Sequence, residues 1–402
     1  MAELRLHDDF PDRDYAEWEQ LAVKGLRGAG FDSLVSRTED GLTRGPLFDA
    51  DARPKPAALH HAPAPLLEGR GWHVCAVAAD DDTGFANAQL LEDLLGGASA
   101  VRVETHAISR RADLKRLLEG VYLDLVPVVF APGNASARFA IGTSELYDTP
   151  VSLGLNPLGE RPSCPDTWRA FTIDAAAVHE AGGADVLELA VMTATLAESV
   201  RLHGEDVLGD CCAELAVDTD AHLSAVKLRA ARRLASGVAQ GFGVDATDLP
   251  LHAVSSRRMM RSADAWTNLL RTQSAGMGAV WGGADYVTLR PLTDPLGKPT
   301  AFASRVARNQ QMLMMEESHL GVVGDPAHGS FFHERLTEDL AQAAWARFQS
   351  IEAGGGINAF IAKGDLEEAV QRDVEEREER NAPILGVTLH PAADVPAPEV
   401  RT

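Results

Sequence analysis

Acids, imidazoles and guanidinium groups stand at the ends of short apolar runs along most of this chain. In order they are Asp80, Asp81 and Asp82; Glu104 and His106; Asn134; Asn156; His179; Asp218; His252, Ser255 and Arg257; and Arg290. Carboxylates and imidazoles from separate segments can converge on a divalent ion, which would recruit His106, His179, Asp218 and one of the Asp80–Asp82 run. No HxH or HExxH spacing supports such a site, so solvated loop acids are the better reading. His60 and His61 fall in a proline-rich stretch and read as exposed. Nucleophilic catalysis fares no better: there is no GxSxG, and Cys211 and Cys212 lie inside an apolar run, where buried structural thiols are the norm. GVVGDPAHG (321–329) lacks the GKS or GKT ending of a phosphate loop and reads as a structural turn. His179, alone in its loop, is better suited to hydrogen bonding than to acting as a base.

These residues need a scaffold, and the spacing of the apolar runs supplies one. WHVCAVAA (72–79), SAVRVETH (99–106), VPVVFA (126–131), TPVSLGL (149–155), WRAFTIDA (168–175), CCAELAVD (211–218), LPLHAVSS (249–256) and ADYVTLRP (284–291) alternate with longer helical patterns. That rhythm predicts parallel strands joined by crossover helices. Eight such units fit an α/β fold, a TIM (β/α)8 barrel, which typically takes about 250 residues and carries its working groups at the C-terminal ends of its strands. The segment 71–362 is therefore assigned to the barrel. Residues 1–70, with a helix candidate near Trp18–Leu26 and a proline-punctuated stretch, form an extended N-terminal arm suited to a subunit contact. Residues 363–402 comprise a charge-dense helix and a flexible tail. In SAVKLRAARRLASGVAQGF, Val226, Ala230, Leu234 and Val238 recur at helical spacing, which places Arg229, Arg232 and Arg233 on other faces of an outer helix. ERLTEDLAQAAWARFQSIEAGGG ends at glycines suited to a C-terminal cap.

Composition narrows the function classes. The chain has 402 residues, 45% of them hydrophobic, and a formal net charge of −22. Phosphate recognition needs a basic face, so a nucleic-acid partner is not expected. The four cysteines make no CxxC pair and no signal peptide is visible, which fits a reduced, cytoplasmic protein without a disulfide framework. No apolar run approaches the ~20 residues that span a bilayer.

Three blocks carry a resemblance. FDSLVSRTEDGL (31–42), AVKLRAARRL (225–234) together with MMRSADAWTNLLRTQSAGMGAVWGGADYVTLRPL (259–292), and SRVARNQQMLMMEESHLGVVGDPAHGSFFHERLTEDLA (304–341) resemble the methylmalonyl-CoA mutase family. They are most similar to the small, or beta, subunit of its heterodimeric bacterial members. PILGVTLHP (383–391) resembles the segment that closes the barrel region, and the block around Arg308, Asn309, Glu316, Glu317, Asp325 and Pro326 is specific to the family.

The resemblance implies an adenosylcobalamin-dependent interconversion of succinyl-CoA and methylmalonyl-CoA, with the acyl-CoA threaded through a barrel and the cobalamin held by a separate flavodoxin-like domain. Two departures bear on this chain. The DxHxxG motif whose histidine ligates cobalt is absent, and too few residues follow Pro391 to form that domain, so no cofactor is expected on this chain and adenosylcobalamin is expected in the partner subunit. The adjacent Tyr and His of catalytic subunits at the end of the fifth strand, aligned through Glu180, Ala181 and Gly182, fall on Ala176 and Ala177. A methyl group cannot donate a hydrogen bond to a thioester oxygen. His252, in LPLHAVSSRR, replaces the arginine expected to grip CoA, and VSLGLNPLGERPS is short in the manner of small subunits. The resemblance thus implies a non-catalytic, structural small subunit paired with a large, catalytic subunit, with Glu104, His179, Asp218, His252, Arg257 and Arg290 as the polar residues left around the mouth. Two alternatives stay open: a catalytic barrel working with a separate cobalamin-binding subunit, or a repurposed barrel that binds an acyl-CoA or another acid.

Overall fold

In the computed structural model, which describes residues 13–50, 71–245, 248–380, 382–391 and 395–401, every one of the eight apolar runs forms a strand. A small antiparallel hairpin, β1 (Ser36–Arg37) and β2 (Thr43–Arg44), precedes them. The barrel strands are β3 (His73–Ala78), β4 (Ala100–Val103), β5 (Val128–Phe130), β6 (Val151–Leu155), β7 (Arg169–Asp174), β8 (Cys211–Val217), β9 (Leu251–Ser255) and β10 (Tyr286–Thr288). All pair in parallel and in sequence order, and β10 pairs with β3 to close the barrel. The (β/α)8 expectation is met, and the near-continuous burial of each strand explains why the runs lack polar alternation.

The helices are α1 (Tyr15–Gly25), α2 (Thr83–Leu95), α3 (Arg111–Leu117), α4 (Ala176–Ala181), α5 (Asp185–His203), α6 (Val207–Asp210), α7 (Ala221–Gly241), α8 (Asn268–Trp281), α9 (Ala301–Met312), α10 (Phe331–Ala353), α11 (Gly356–Ala362) and α12 (Asp365–Arg380). Several start on side-chain caps: Asp82 accepts from Gly84 and Phe85 N–H before α2, and Asp220 accepts from Leu223 N–H before α7. The connections after β5 and β6 hold no α-helix. Short 3₁₀ turns at Ala135–Phe139 and Ser144–Leu146 follow β5, leaving that side of the barrel thinly covered. Gly154 on β6 has φ +67°, and a Cβ there would stand 2.6 Å from the Phe130 carbonyl oxygen. Its backbone approach to β5 therefore requires glycine.

Helix α7 departs from the amphipathic reading. Arg229 and Arg232 are buried rather than solvent-facing. Helix α10 and the 321–329 turn supply the partners of Arg229, whereas Arg232 reaches the segments that lead into β9 and β10. Arg229 donates to Asp325, to Glu334 (3.1 Å) and to Thr337 (3.1 Å), while Arg232 binds Asp285 (2.8 Å) and two backbone carbonyls. The family-specific Asp325 is thus a structural anchor, and so is Arg308, which donates to Asp93 (3.0 Å).

The C-terminal segment is not free. Arg401 makes a bridge to Lys298, pairs with Asp80 (2.9 Å) and places its guanidinium 3.4 Å from the Phe85 ring centre. Trp266 Nε1 donates to the Pro396 carbonyl (2.8 Å). Valine and proline supply little that needs burying, so composition hides these contacts; one arginine and one indole make them. Helix α12 packs over Gly182, whose φ of +121° ends α4 and where a Cβ would run into Val374. Three of the four cysteines are buried, and Cys164 is half-buried. Burial pushes the Cys75 and Cys211 thiols up to about 12. No described helix is long and apolar enough to cross a membrane.

Candidate functional site at the barrel mouth

Side chains alternate along β4, so Val101 and Val103 serve one face while Arg102 and Glu104 share the other. Arg102 is 2% exposed, yet it is fully engaged. Its Nε donates to Glu104 Oε1 (2.7 Å), and its two terminal nitrogens donate to Glu214 on β8 at 2.5 and 3.0 Å. Glu214 is in register with Asp174 of β7 on one side and His252 of β9 on the other. Arg102 Nη1 also donates to His252 Nδ1 (3.2 Å), which leaves His252 Nε2–H to donate to Thr288 Oγ1 (2.7 Å) on β10. The result is a hydrogen-bonded bundle that joins β4, β8, β9 and β10 across the barrel interior.

The electrostatics follow from that contact set. Burial works against the Arg102 charge, but Glu214 and Glu104 outweigh it and hold the guanidinium firmly protonated. Burial likewise opposes ionisation of Glu104, and the Arg102 and Arg290 charges overcome it, so its carboxyl titrates below the usual range. His252 is driven well below ordinary imidazole values, first by burial and then by Arg102 and His73, so it stays neutral. Such pairing is costly to assemble and more costly to break, because each partner is stranded without the other.

Above this bundle lies a cavity of about 390 Å³. Glu104, Arg257 and Arg290 line it, together with Ala176, Ala177 and Asp174. Ala176 is buried against Ala216 and Val254, while Ala177 faces the cavity and its N–H donates to Asp174 Oδ1 (3.0 Å). Asp174 lines the cavity, and burial, followed by the nearby Glu214 charge, pushes its carboxyl up to about 6. Arg257 and Arg290 share one acid, Asp294, at 3.6 and 3.7 Å.

The other sequence candidates go elsewhere. His252 belongs to the interior bundle. His179 is buried beneath the mouth, with Nε2 2.8 Å from Ser256 Oγ and a Nδ1 that makes no hydrogen bond among the described residues. Burial, then Lys227, drives its pKa well below the ordinary value. Asp218 caps the turn into α7 by accepting from Asp220 N–H (2.9 Å), and burial with Asp185 pushes its carboxyl up to about 6. His179, Asp185 and Glu188 bring ligand-type atoms within 4.8 Å of one another. The Lys227 ammonium already serves this acid group, donating to Asp185 (2.8 Å) and Glu188 (2.7 Å). Arg102, Glu214 and Lys227 escape a reading of strand ends because they sit inside apolar elements. A charged residue within such a run was the available signal, strongest for Arg102 and Glu104, two positions apart on one face.

A parallel (β/α)8 barrel with an ion-paired interior and a mouth opening at the C-terminal strand ends is the class of protein these features define. A sequence profile of the methylmalonyl-CoA mutase family matches residues 163–399. The methylmalonyl-CoA mutase small subunit of Streptomyces virginiae is 36% identical over 96% of this chain and 72% of its own length. That of Propionibacterium freudenreichii subsp. shermanii is 32% identical over 96% and 70%. The methylmalonyl-CoA mutase of Escherichia coli is 27% identical over 93% and 64%. This chain belongs to the methylmalonyl-CoA mutase family, and it is a small subunit of the mutase type.

Proposed function

We propose that this subunit serves a heteromeric acyl-CoA mutase structurally, and that the rearrangement of succinyl-CoA and methylmalonyl-CoA takes place on a large, catalytic partner. The single observation that carries this reading is the Arg102–Glu214 pair with its Glu104, His252 and Thr288 contacts, which occupies the barrel interior where a threaded acyl-CoA would have to pass. Ala176 and Ala177 add to it by offering no donor to a thioester oxygen at the mouth.

Cobalamin does not fit the groups present. A cobalt ligand needs an accessible imidazole nitrogen, and His252 and His179 are buried with at least one nitrogen in use. His106 is the one imidazole lining the mouth cavity among the described residues, and about 390 Å³ suits a small molecule rather than a corrin with its nucleotide. Adenosylcobalamin is therefore assigned to the partner subunit.

The N-terminal arm supports pairing. Among the described residues, α1 has no fully buried side chain: Trp18 packs edge-on against Phe31, and Tyr15, Leu21 and Val23 stay exposed. These exposed apolar side chains are suited to a second polypeptide, and a permanent interface of this kind buries more than ~2,000 Å².

Co-expression with a large mutase subunit from the same source tests the reading. The expected outcome is a stable complex whose adenosylcobalamin-dependent turnover is unchanged by Ala177→His in this chain. Absence of a complex, or turnover that responds to this barrel's own mouth, would overturn it.

A further inference from the structure

The mouth cavity does not end at the barrel rim. A second cavity of about 510 Å³ shares Pro132, Asp174 and Ala177 with it and runs under α12. Its walls are mainly apolar, with Leu158, Val178, Val191, Val370 and Val374 among them, and none of its lining residues is Lys, Arg or His. Ala177 stands between the two and contributes only a methyl group to the wall they share.

The two cavities together present three chemically distinct regions. On the β9–β10 side, Arg257 and Arg290 bring two positive charges to the cavity and share Asp294 as their ion-pair partner at 3.6 and 3.7 Å, with Glu104, already held by Arg102, as the other nearby acid. On the β7 side, Asp174 has one oxygen engaged by Ala177 N–H and no basic side chain paired with it. The remaining mouth acids are occupied: Glu104 and Glu214 by Arg102, and Glu180 by the Arg257 N–H (2.7 Å). Beyond Asp174 lies the apolar cleft. A purely anionic ligand would meet Asp174 and Glu180, and a purely cationic one would meet Arg257 and Arg290.

The geometry points to a small zwitterion with an apolar side chain, an α-amino acid of the leucine type, bound with its carboxylate toward Arg257 and Arg290, its ammonium at Asp174 and its side chain in the cleft under α12. The three recognising residues, Arg257, Arg290 and Asp174, lie outside the interior bundle that floors the cavity, and none comes from a partner subunit, so the site goes beyond the structural role. Charge-assisted contacts to the carboxylate and the ammonium, with apolar burial of the side chain, give both affinity and orientation.

Isothermal titration of the full chain with L-leucine tests the site. Glycine, 4-methylpentanoate and 3-methylbutylamine each lack one of the three recognised parts. Leucine is expected to bind saturably and each analogue at least about tenfold more weakly, as the loss of one charge-assisted contact or of the side chain predicts. Asp174→Asn and Arg257→Gln are each expected to weaken leucine by about tenfold. Arg257 is largely exposed, so its variant folds normally and keeps the test sound if Asp174→Asn does not. No saturable leucine binding, an analogue as tight as leucine, or full affinity in Arg257→Gln together with Arg290→Gln would overturn the proposal. Because the titration uses this chain alone, its failure leaves the pairing with a large subunit untouched, and failure of that pairing leaves the titration interpretable.

Discussion

The barrel interior and the barrel mouth use opposite devices. In the interior, Arg102, Glu104, Glu214 and His252 fill the space between strands with ionised and hydrogen-bonding groups whose every partner is accounted for. At the mouth, β7 gives way to Ala175, Ala176 and Ala177, and the space is left to solvent. A ligand that must traverse the barrel is excluded by the first arrangement, whereas a small one that only enters the mouth is admitted by the second. Filling the interior of a barrel with paired charges therefore need not close its mouth.

The largest effects should come from unpairing the interior. Glu214→Ala strands the Arg102 charge, and chemical denaturation should show a loss toward the upper end of about 3–5 kcal/mol. The double replacement Arg102→Met with Glu214→Leu removes both charges and should cost far less. A double variant as unstable as the single one would show that packing, and not charge pairing, dominates there. Lys227→Met should fall toward the lower end of the same range of about 3–5 kcal/mol, because burial already pushes the Glu188 carboxyl up to about 7 and it can take up a proton in place of the lost ammonium.

The mouth should respond more weakly and unevenly. Ala176→Tyr must displace Ala216 and Val254, an overpacking that costs about 1–3 kcal/mol, while Ala177→His projects into the cavity and should stay within about 0.5 kcal/mol. Equal thermal shifts for the two would erase the distinction between a packed and an open alanine.

A pH series sharpens the contrast from another side. Asp40, whose Oδ1 accepts from Val186 N–H, has its carboxyl pushed up to about 7 by burial and then by Asp185. The ordinary value is 3.8, so between the two the folded chain holds a proton that the unfolded chain releases. Its contribution is complete below about pH 4 and is lost as pH rises through about 7. Asp40→Asn should therefore flatten the fall in stability from pH 5 to pH 8, by at most about 1.4 kcal/mol per pH unit and less with solvent screening. An unchanged slope in calorimetric melts would assign the dependence to other groups.

The barrel was legible because parallel strands covered on both faces are written as uninterrupted apolar runs, and each of the eight runs contains its strand. The correspondence of Ala176 and Ala177 to a Tyr-His pair rests on the resemblance alone, since alanine announces no chemistry by itself. The interior bundle was obscured because Arg102 and Glu214 are single charges in strands otherwise made of Ala, Val, Cys and Leu, and the reading of strand ends looked past them. Pairing across β4, β8 and β9 is a matter of barrel closure and register, which residue spacing within one run does not carry. His179 illustrates the converse: its position after β7 suggested a mouth residue, but the turn into α4 directs it inward to Ser256.

The burial of the thiols has a practical consequence. With Cys75, Cys211 and Cys212 enclosed, burial holding the Cys75 and Cys211 thiols at about 12, and Cys212 and Cys164 raised in the same direction, the chain supplies little thiolate at neutral pH. A single cysteine placed on α1 or at Ala177 would thus react selectively with a fluorescent or spin label, with no native residue removed. Distances from those two points would report on subunit docking and on occupancy of the mouth as separate signals.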